Sequence, residues 1–403
     1  MTIAISETQL LDAEVLNNPY PFYRRLQQEA PVWRVPGTKI FVVTQYSLLE
    51  EAARRVEDFS SNILCVLYRG RNGVPVRFVH NINVAQTLAT ADPPMHAIHR
   101  KAVFSSLNAK RMATMSSKIE EITDTCISNI LEAGTADFMS ALANIVPMSV
   151  VCELVGFKGK DINTLLQAAF DSTAIVGGAL SVFQLIRCIF RSVCIQFWLD
   201  GQLRPANPDD DTLLATMKRS LSDKTLNRAE CRAVLHILLA AGGESTTSLL
   251  GNAVRILAED PVRQNELRSN PQLIPRFLEE VLRLESPFRS MLRSVPKDTT
   301  LGGVNIPAGS TVLLFWSAGN RDPEAFANPD EIDIERAPKH LTFGRGIHSC
   351  LGAPLARLEG KIVLSKLLER TSHIALDPKQ PPQWVQSLQV RRHEKLPIIV
   401  TPR

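Results

Sequence analysis

Phe343-Gly344-Arg345-Gly346-Ile347-His348-Ser349-Cys350-Leu351-Gly352 decides how this chain is read. It offers one cysteine sulfur from a glycine-framed loop. A helical pattern, Ala353-Pro354-Leu355-Ala356-Arg357-Leu358-Glu359, follows at once. Glycines let backbone bend and approach a flat group closely. Amide N–H groups and the start of a helix favour negative charge on a nearby sulfur. The layout suits a thiolate acting as an axial metal ligand. The plainer alternative is a structural cysteine in a glycine-rich turn.

The rest of the composition narrows the setting. Charge over the 403 residues is nearly balanced, 45 Lys and Arg against 41 Asp and Glu, or +4. That argues against a nucleic-acid binder, which would be far more basic. The other cysteines, Cys65, Cys126, Cys152, Cys188, Cys194 and Cys231, are scattered, and no CxxC pair exists. They form neither a zinc framework nor a disulfide scaffold and read as small apolar residues in a reducing cytosol. The N-terminus has no basic region followed by an apolar stretch, so neither a leader nor an anchor is expected. The most apolar stretch, 172–186, is too short to span a bilayer. A cytoplasmic protein with no membrane span is the expectation.

Along the chain, prolines at 19 and 21 open a first helix after a lead-in over 1–15. Val32–Val35 and Ile40–Val43 flank Pro36-Gly37 as a hairpin. Helical periodicity dominates 95–290, most clearly at 115–133, 160–200, 226–258 and 273–285. Strand-like runs return at 301–315 and 385–400, with 304–309 as a turn. The stretch 62–91 is long and weakly periodic and suits a mobile cover over a pocket. With no linker or repeat, 1–403 is read as a single domain, mainly α, with a small β-sheet region.

Three further motifs carry chemistry. In Ala241-Gly242-Gly243-Glu244-Ser245-Thr246, two glycines weaken a helix by about 1 kcal/mol each relative to alanine. A helix keeps such a defect where something approaches its backbone or where it widens. The acid and alcohol that follow could deliver protons; the motif alone could equally be a helix irregularity. Glu280 and Arg283, three apart, share a helix face, as does any surface salt bridge of that spacing. In Asp92-Pro93-Pro94-Met95-His96-Ala97-Ile98-His99-Arg100, His96 and Arg100 fall on one face and suit a pair of carboxylates; His99 faces elsewhere.

Phe-Gly-x-Gly-x-His-x-Cys-x-Gly resembles the haem-binding loop of the cytochrome P450 family, and the other motifs follow in that family's chain order over roughly 15–400. The resemblance implies the cytochrome P450 fold and a haem b cofactor with Cys350 as iron ligand. Phe343, Gly344, Gly352 and Ala241 would lie against it, and His96, Arg100, Arg293 and His348 would meet the propionates. It implies an oxygen-activating groove with Glu244 and Ser245, Thr246 being the fallback because the family's usual threonine is serine at 245. It implies a buried structural network of Glu280, Arg283 and Arg336 that holds the cysteine loop. Leu64, Leu67, Val176, Leu238, Ala241, Gly242, Phe288, Met291 and Leu388 become pocket candidates for a hydrophobic small molecule. The implied activity is O2-dependent insertion of oxygen into a C–H bond. With no flavin or nicotinamide fingerprint, electrons would come from NAD(P)H through a ferredoxin and its reductase. A peroxide-using peroxygenase and a non-catalytic haem sensor are the rivals.

Overall fold

The computed structural model describes residues 5–79, 86–104, 107, 111 and 113–403. The expected lead-in and the expected cover over 62–91 each fall partly outside these. A short helix, Ala13–Asn17, already forms at the end of the expected lead-in, and the helix expected at the prolines, α1 (Tyr20–Glu29), starts at them as anticipated. Strands β1 (Val32–Arg34) and β2 (Ile40–Val43) pair antiparallel, Val32 against Val43. Within the stretch read as a mobile cover, β3 (Cys65–Arg69) and β4 (Pro75–Val79) pair as a hairpin turning at Gly73, φ +77°. Valines, Tyr68 and Phe78 supply the strand preference that weak periodicity hid.

Helices then carry the chain. They are α2 (Met95–Phe104), α3 (Ser116–Ala133), α4 (Ile145–Val155), α5 (Ile162–Val176) and α6 (Val182–Leu203), with a short strand β5 (Thr135–Asp137) after α3. The expectation of one helix over 160–200 fails at Gly177-Gly178. There the Gly177 carbonyl accepts the Leu388 amide at 2.8 Å, and Ser181 opens α6 with a capping box to Gln184. α7 (Arg228–Glu259) is the long central helix, opened by an Asn227/Glu230 capping box. It runs unbroken through Gly242-Gly243. A side chain at 242 would sit 2.4 Å from Val151 Cγ2, and one at 243 would sit 2.4 Å from Met148 Cε. Both neighbours are on α4, so the glycines serve close helix approach, the first of the two reasons weighed for the defect.

A helix over Pro261–Ser269 and then α8 (Ile274–Leu284) follow, and after them β6 (Met291–Ser294), β7 (Thr299–Leu301), β8 (Val304–Ile306) and β9 (Thr311–Leu314). Residues 304–306, read as part of a turn, are a strand; the turn lies at Gly302-Gly303, both with positive φ. The largest sheet has the order β1-β2-β9-β6, with β2 and β9 parallel. After the cysteine loop come α9 (Ala353–Arg370), β10 (Thr371–Leu376), β11 (Gln383–Trp384), β12 (His393–Lys395) and β13 (Pro397–Pro402). One hydrophobic core fills the space between the helices; smaller ones sit on the two sides of the large sheet.

Glu359, on α9, is 3 % exposed, and its Oε2 has no hydrogen-bond partner. Burial pushes its carboxyl up to about 8. The fold therefore retains a proton that the unfolded chain releases above the ordinary value near 4.5. Stability is full at pH values below that and is lost as pH rises toward 8. Thermal unfolding from pH 5 to 9 should show this decline, and Glu359→Gln should flatten it. Parallel curves for the two proteins would exclude the protonated acid.

Candidate functional site

The cysteine loop is held by its own backbone. The Cys350 amide donates to the Phe343 carbonyl at 2.8 Å, and the Gly344 amide to the Leu341 carbonyl at 2.8 Å. Gly344 and Gly346 have φ of +70° and +69°, where any other residue is strained. A side chain at 346 would also sit 3.0 Å from the Ala53 carbonyl oxygen. Arg100 Nη1 donates to the carbonyls of Ser349 at 2.8 Å and Ile347 at 3.2 Å, so α2 grips the loop from outside. Arg357 lies over the Phe343 ring at 4.5 Å and pairs with Glu279 at 2.7 Å.

Cys350 is exposed, one of two such cysteines with Cys194. The protein around its sulfur still thins the water enough to push the thiol up. The amides of Gly352 and Ala353 and the charges of Arg100 and Arg357 pull the other way without overcoming it. Such a thiol loses its proton readily when a bound cation takes the proton's place on the sulfur and the proton is released to water.

Next to the loop lies a cluster of basic side chains. The rings of His96 and His348 meet at 4.4 Å between centroids. Neither ring nitrogen of His348 has a hydrogen-bond partner, although both are buried. Burial, followed by the charges of Arg293, His96 and Arg100, pushes His348 down to about 3. Arg293, on β6, is 9 % exposed, and burial lowers it to about 10, with only Asp92 acting in the opposite sense. Burial and Arg100 likewise lower His96. Asp92 is already engaged by Ser60 Oγ and the Ser61 amide. Four basic side chains thus lie together, His348 with both ring nitrogens unpartnered, and no free carboxylate stands among them in the described residues. Two ligand carboxylates beside a thiolate-bound iron would satisfy them, and haem has that shape and charge. His99, by contrast, turns toward Glu230, 3.7 Å away.

On α7, Ala241, Gly242 and Ser245 are half-buried while Gly243 and Glu244 are buried. Ser245 Oγ donates to the Ala241 carbonyl at 2.7 Å. Glu244 is fully enclosed: Arg392 Nε donates to Oε1 at 2.6 Å and Thr173 Oγ1 to Oε2 at 2.9 Å. Arg392 also stacks over Phe170 at 3.7 Å. Neither Arg392 nor Thr173 was anticipated; the only sequence signal was the basic pair Arg391-Arg392. Thr246 is 4 % exposed and forms no side-chain hydrogen bond among the described residues.

Glu280, Arg283 and Arg336 do form one network. Arg283 donates to Glu280 at 2.8 and 2.9 Å and to the carbonyls of Asn320, Pro329 and Glu331. Arg336 Nε reaches Glu280 Oε2 at 3.3 Å, and the Asp333 amide reaches it at 2.8 Å. The network holds 320–336. Asn320 passes the constraint on, accepting the Leu341 amide at 2.6 Å and donating to Thr342 Oγ1 at 2.9 Å, just ahead of the cysteine loop.

The pocket candidates are dispersed. Leu67 and Leu388 are buried in the core beside α1, with Val176 packed against them. Leu64 is 49 % exposed. Met291 packs against the core on the other sheet face, and Leu238 against the helical core. Phe288 is half-buried and bridges to Val390.

The family model for cytochrome P450 matches residues 200–399. Cytochrome P450 144 of Mycobacterium tuberculosis is 38 % identical over 405 residues, covering 99 % of this chain and 93 % of that protein. The 6-deoxyerythronolide B hydroxylase of Saccharopolyspora erythraea is 31 % identical, covering 94 % and 95 %. The crystal structure of CYP109E1 from Bacillus megaterium, in complex with testosterone, superposes with a TM-score of 0.84 at 27 % identity, covering 96 % of this chain and 98 % of that one.

Proposed function

The chain belongs to the cytochrome P450 family of haem-thiolate monooxygenases, and we propose that it inserts one atom of O2 into a C–H bond of a hydrophobic small molecule. The whole chain, 1–403, acts as one catalytic domain in the cytoplasm. The cofactor is haem b, with Cys350 as its iron ligand. Phe343, Gly344, Gly352 and Ala241 flank it. His96, Arg100, Arg293 and His348 take its propionates. The observation that carries this assignment is the convergence of four basic side chains, one with both ring nitrogens unpartnered, beside a loop-held thiol. Bound there, thiolate-ligated haem supplies the chemistry of O–O cleavage, and the protein supplies orientation, protons and dryness.

The chain's own work is proton handling and positioning. Ser245 spends its hydrogen on the Ala241 carbonyl, so its oxygen lone pairs are free to accept from a water in the groove. Glu244 is held by Arg392 and Thr173, so to pass a proton inward it must exchange one of these partners for water. Arg392 thus works as an anchor that sets how often the acid is available. The apolar set Leu64, Leu67, Val176, Leu238, Gly242, Phe288, Met291 and Leu388 offers few polar handles and favours an apolar substrate. Electrons come from NAD(P)H through a ferredoxin and ferredoxin reductase.

Turnover tests this. Product should form with ferredoxin, its reductase, NAD(P)H and O2. Ser245→Ala should lower the product formed per NAD(P)H consumed and divert electrons to peroxide. Glu244→Gln should slow turnover roughly 10²-fold or more, the usual worth of a proton-transfer group. Full coupling in Ser245→Ala with uncoupling in Thr246→Ala would move the hydroxyl role to Thr246. Turnover with peroxide alone would make the protein a peroxygenase, and ligand binding without turnover would make it a sensor.

A further inference from the structure

α6 carries an apolar face on which none of the described residues packs. Phe183, Phe190 and Phe197 are 82 %, 68 % and 73 % exposed, Ile186 is 60 % and Val193 is 47 %. Their separations are three, four, three and four residues, the seam by which one helix packs against another. The opposite face of the same helix is satisfied, with Leu185, Cys188, Ile195, Leu199 and Leu203 buried. Propensity and core packing therefore do not need the exposed phenylalanines.

We propose that this face is a self-association surface, on which α6 of a second copy of the chain packs antiparallel across a two-fold axis near Phe190. Phe183 of one copy then lies against Phe197 of the other, and the two Phe190 rings meet at the axis. A two-fold contact uses the same patch on both copies, and the seam is apolar from end to end, so it is self-complementary. Area supports the same occupant. Taking aromatic side chains at about 150–250 Å² each, the three phenylalanines at these exposures offer about 450 Å², and Ile186 and Val193 bring the patch to roughly 600 Å². That stands at the top of the roughly 300–600 Å² of the largest patch on an ordinary monomer and is most of the ~800 Å² per partner of a stable complex. A bilayer is the poorer occupant, although α6 is long and apolar enough by length and composition to cross one. Helices that lie on membranes are rich in Lys and Arg on the polar face. α6 has no lysine; of its two arginines, Arg191 is tied to Asp171 at 2.5 Å, leaving Arg187.

Sedimentation of the haem-loaded full chain tests this. A concentration-dependent dimer should appear in the micromolar range or below, and Phe190→Asp should weaken it at least about a hundredfold, since it places two like charges at the axis. Cys194, exposed on the same face, gives a second readout that needs no folding-sensitive substitution. In the antiparallel arrangement the two Cys194 sulfurs lie about 15 Å apart, from the helical rise and helix spacing. A bis-maleimide of that reach should yield a covalent dimer that Cys194→Ser abolishes. A monomer throughout the range overturns the proposal, whether or not it floats with anionic lipid vesicles; flotation would assign the face to a membrane. A dimer that survives Phe190→Asp and does not cross-link through Cys194 overturns it as well.

Discussion

Glu280→Ala and Arg283→Ala are each expected to give little folded, haem-loaded protein. Both side chains are fully buried. The guanidinium has five N–H donors, and the two oxygens of Glu280 with the carbonyls of Asn320, Pro329 and Glu331 use all five. Removing one partner of such a pair leaves an uncompensated buried charge and costs about 3–5 kcal/mol. Domains are commonly stable by only about 5–15 kcal/mol. Arg283→Lys should fail nearly as badly, because an ammonium has three donors and cannot reach five acceptors in a plane. Arg336→Ala should be milder: it removes a 3.3 Å contact with Glu280 and donors to the carbonyls of Ala327, Asn328 and Glu331, but it leaves the buried Arg283 pair intact. Chemical denaturation together with haem content per protein measures both. Soluble, haem-replete Glu280→Ala with an unchanged midpoint would show that the 320–336 segment is held some other way.

Particular residues show what the sequence could and could not disclose. The cysteine loop was readable because its constraint is local: positive-φ glycines and a helix start within ten residues leave a fixed spacing. Glu280 and Arg283 were readable because i,i+3 spacing puts them on one helix face. His96 and Arg100 were readable as a pair from their i,i+4 spacing, but Arg293, His348 and Arg336 were reached only through the family resemblance, since they lie on other elements far along the chain. The Glu244–Arg392 pair was missed because its partners lie 148 residues apart and nothing in either neighbourhood announces the other. The break at Gly177-Gly178 was passed over because the apolar periodicity continues on both sides of it. The exposed face of α6 was hidden for a related reason. Apolar spacing identifies a helix that packs on something, but it does not say whether that something lies within the same chain.

The absorption spectrum of the reduced, carbon monoxide-bound protein tests the central claim most directly. Cys350 as the iron ligand predicts the long-wavelength Soret band of a thiolate-bound haem in the native chain. Cys350→Ala should lose that band. Cys194→Ala, at the other exposed cysteine, and Cys231→Ala, at a buried one whose thiol is pushed up to about 11, should keep it. A long-wavelength band that persists in Cys350→Ala, or one that never appears in the native protein, would contradict the account.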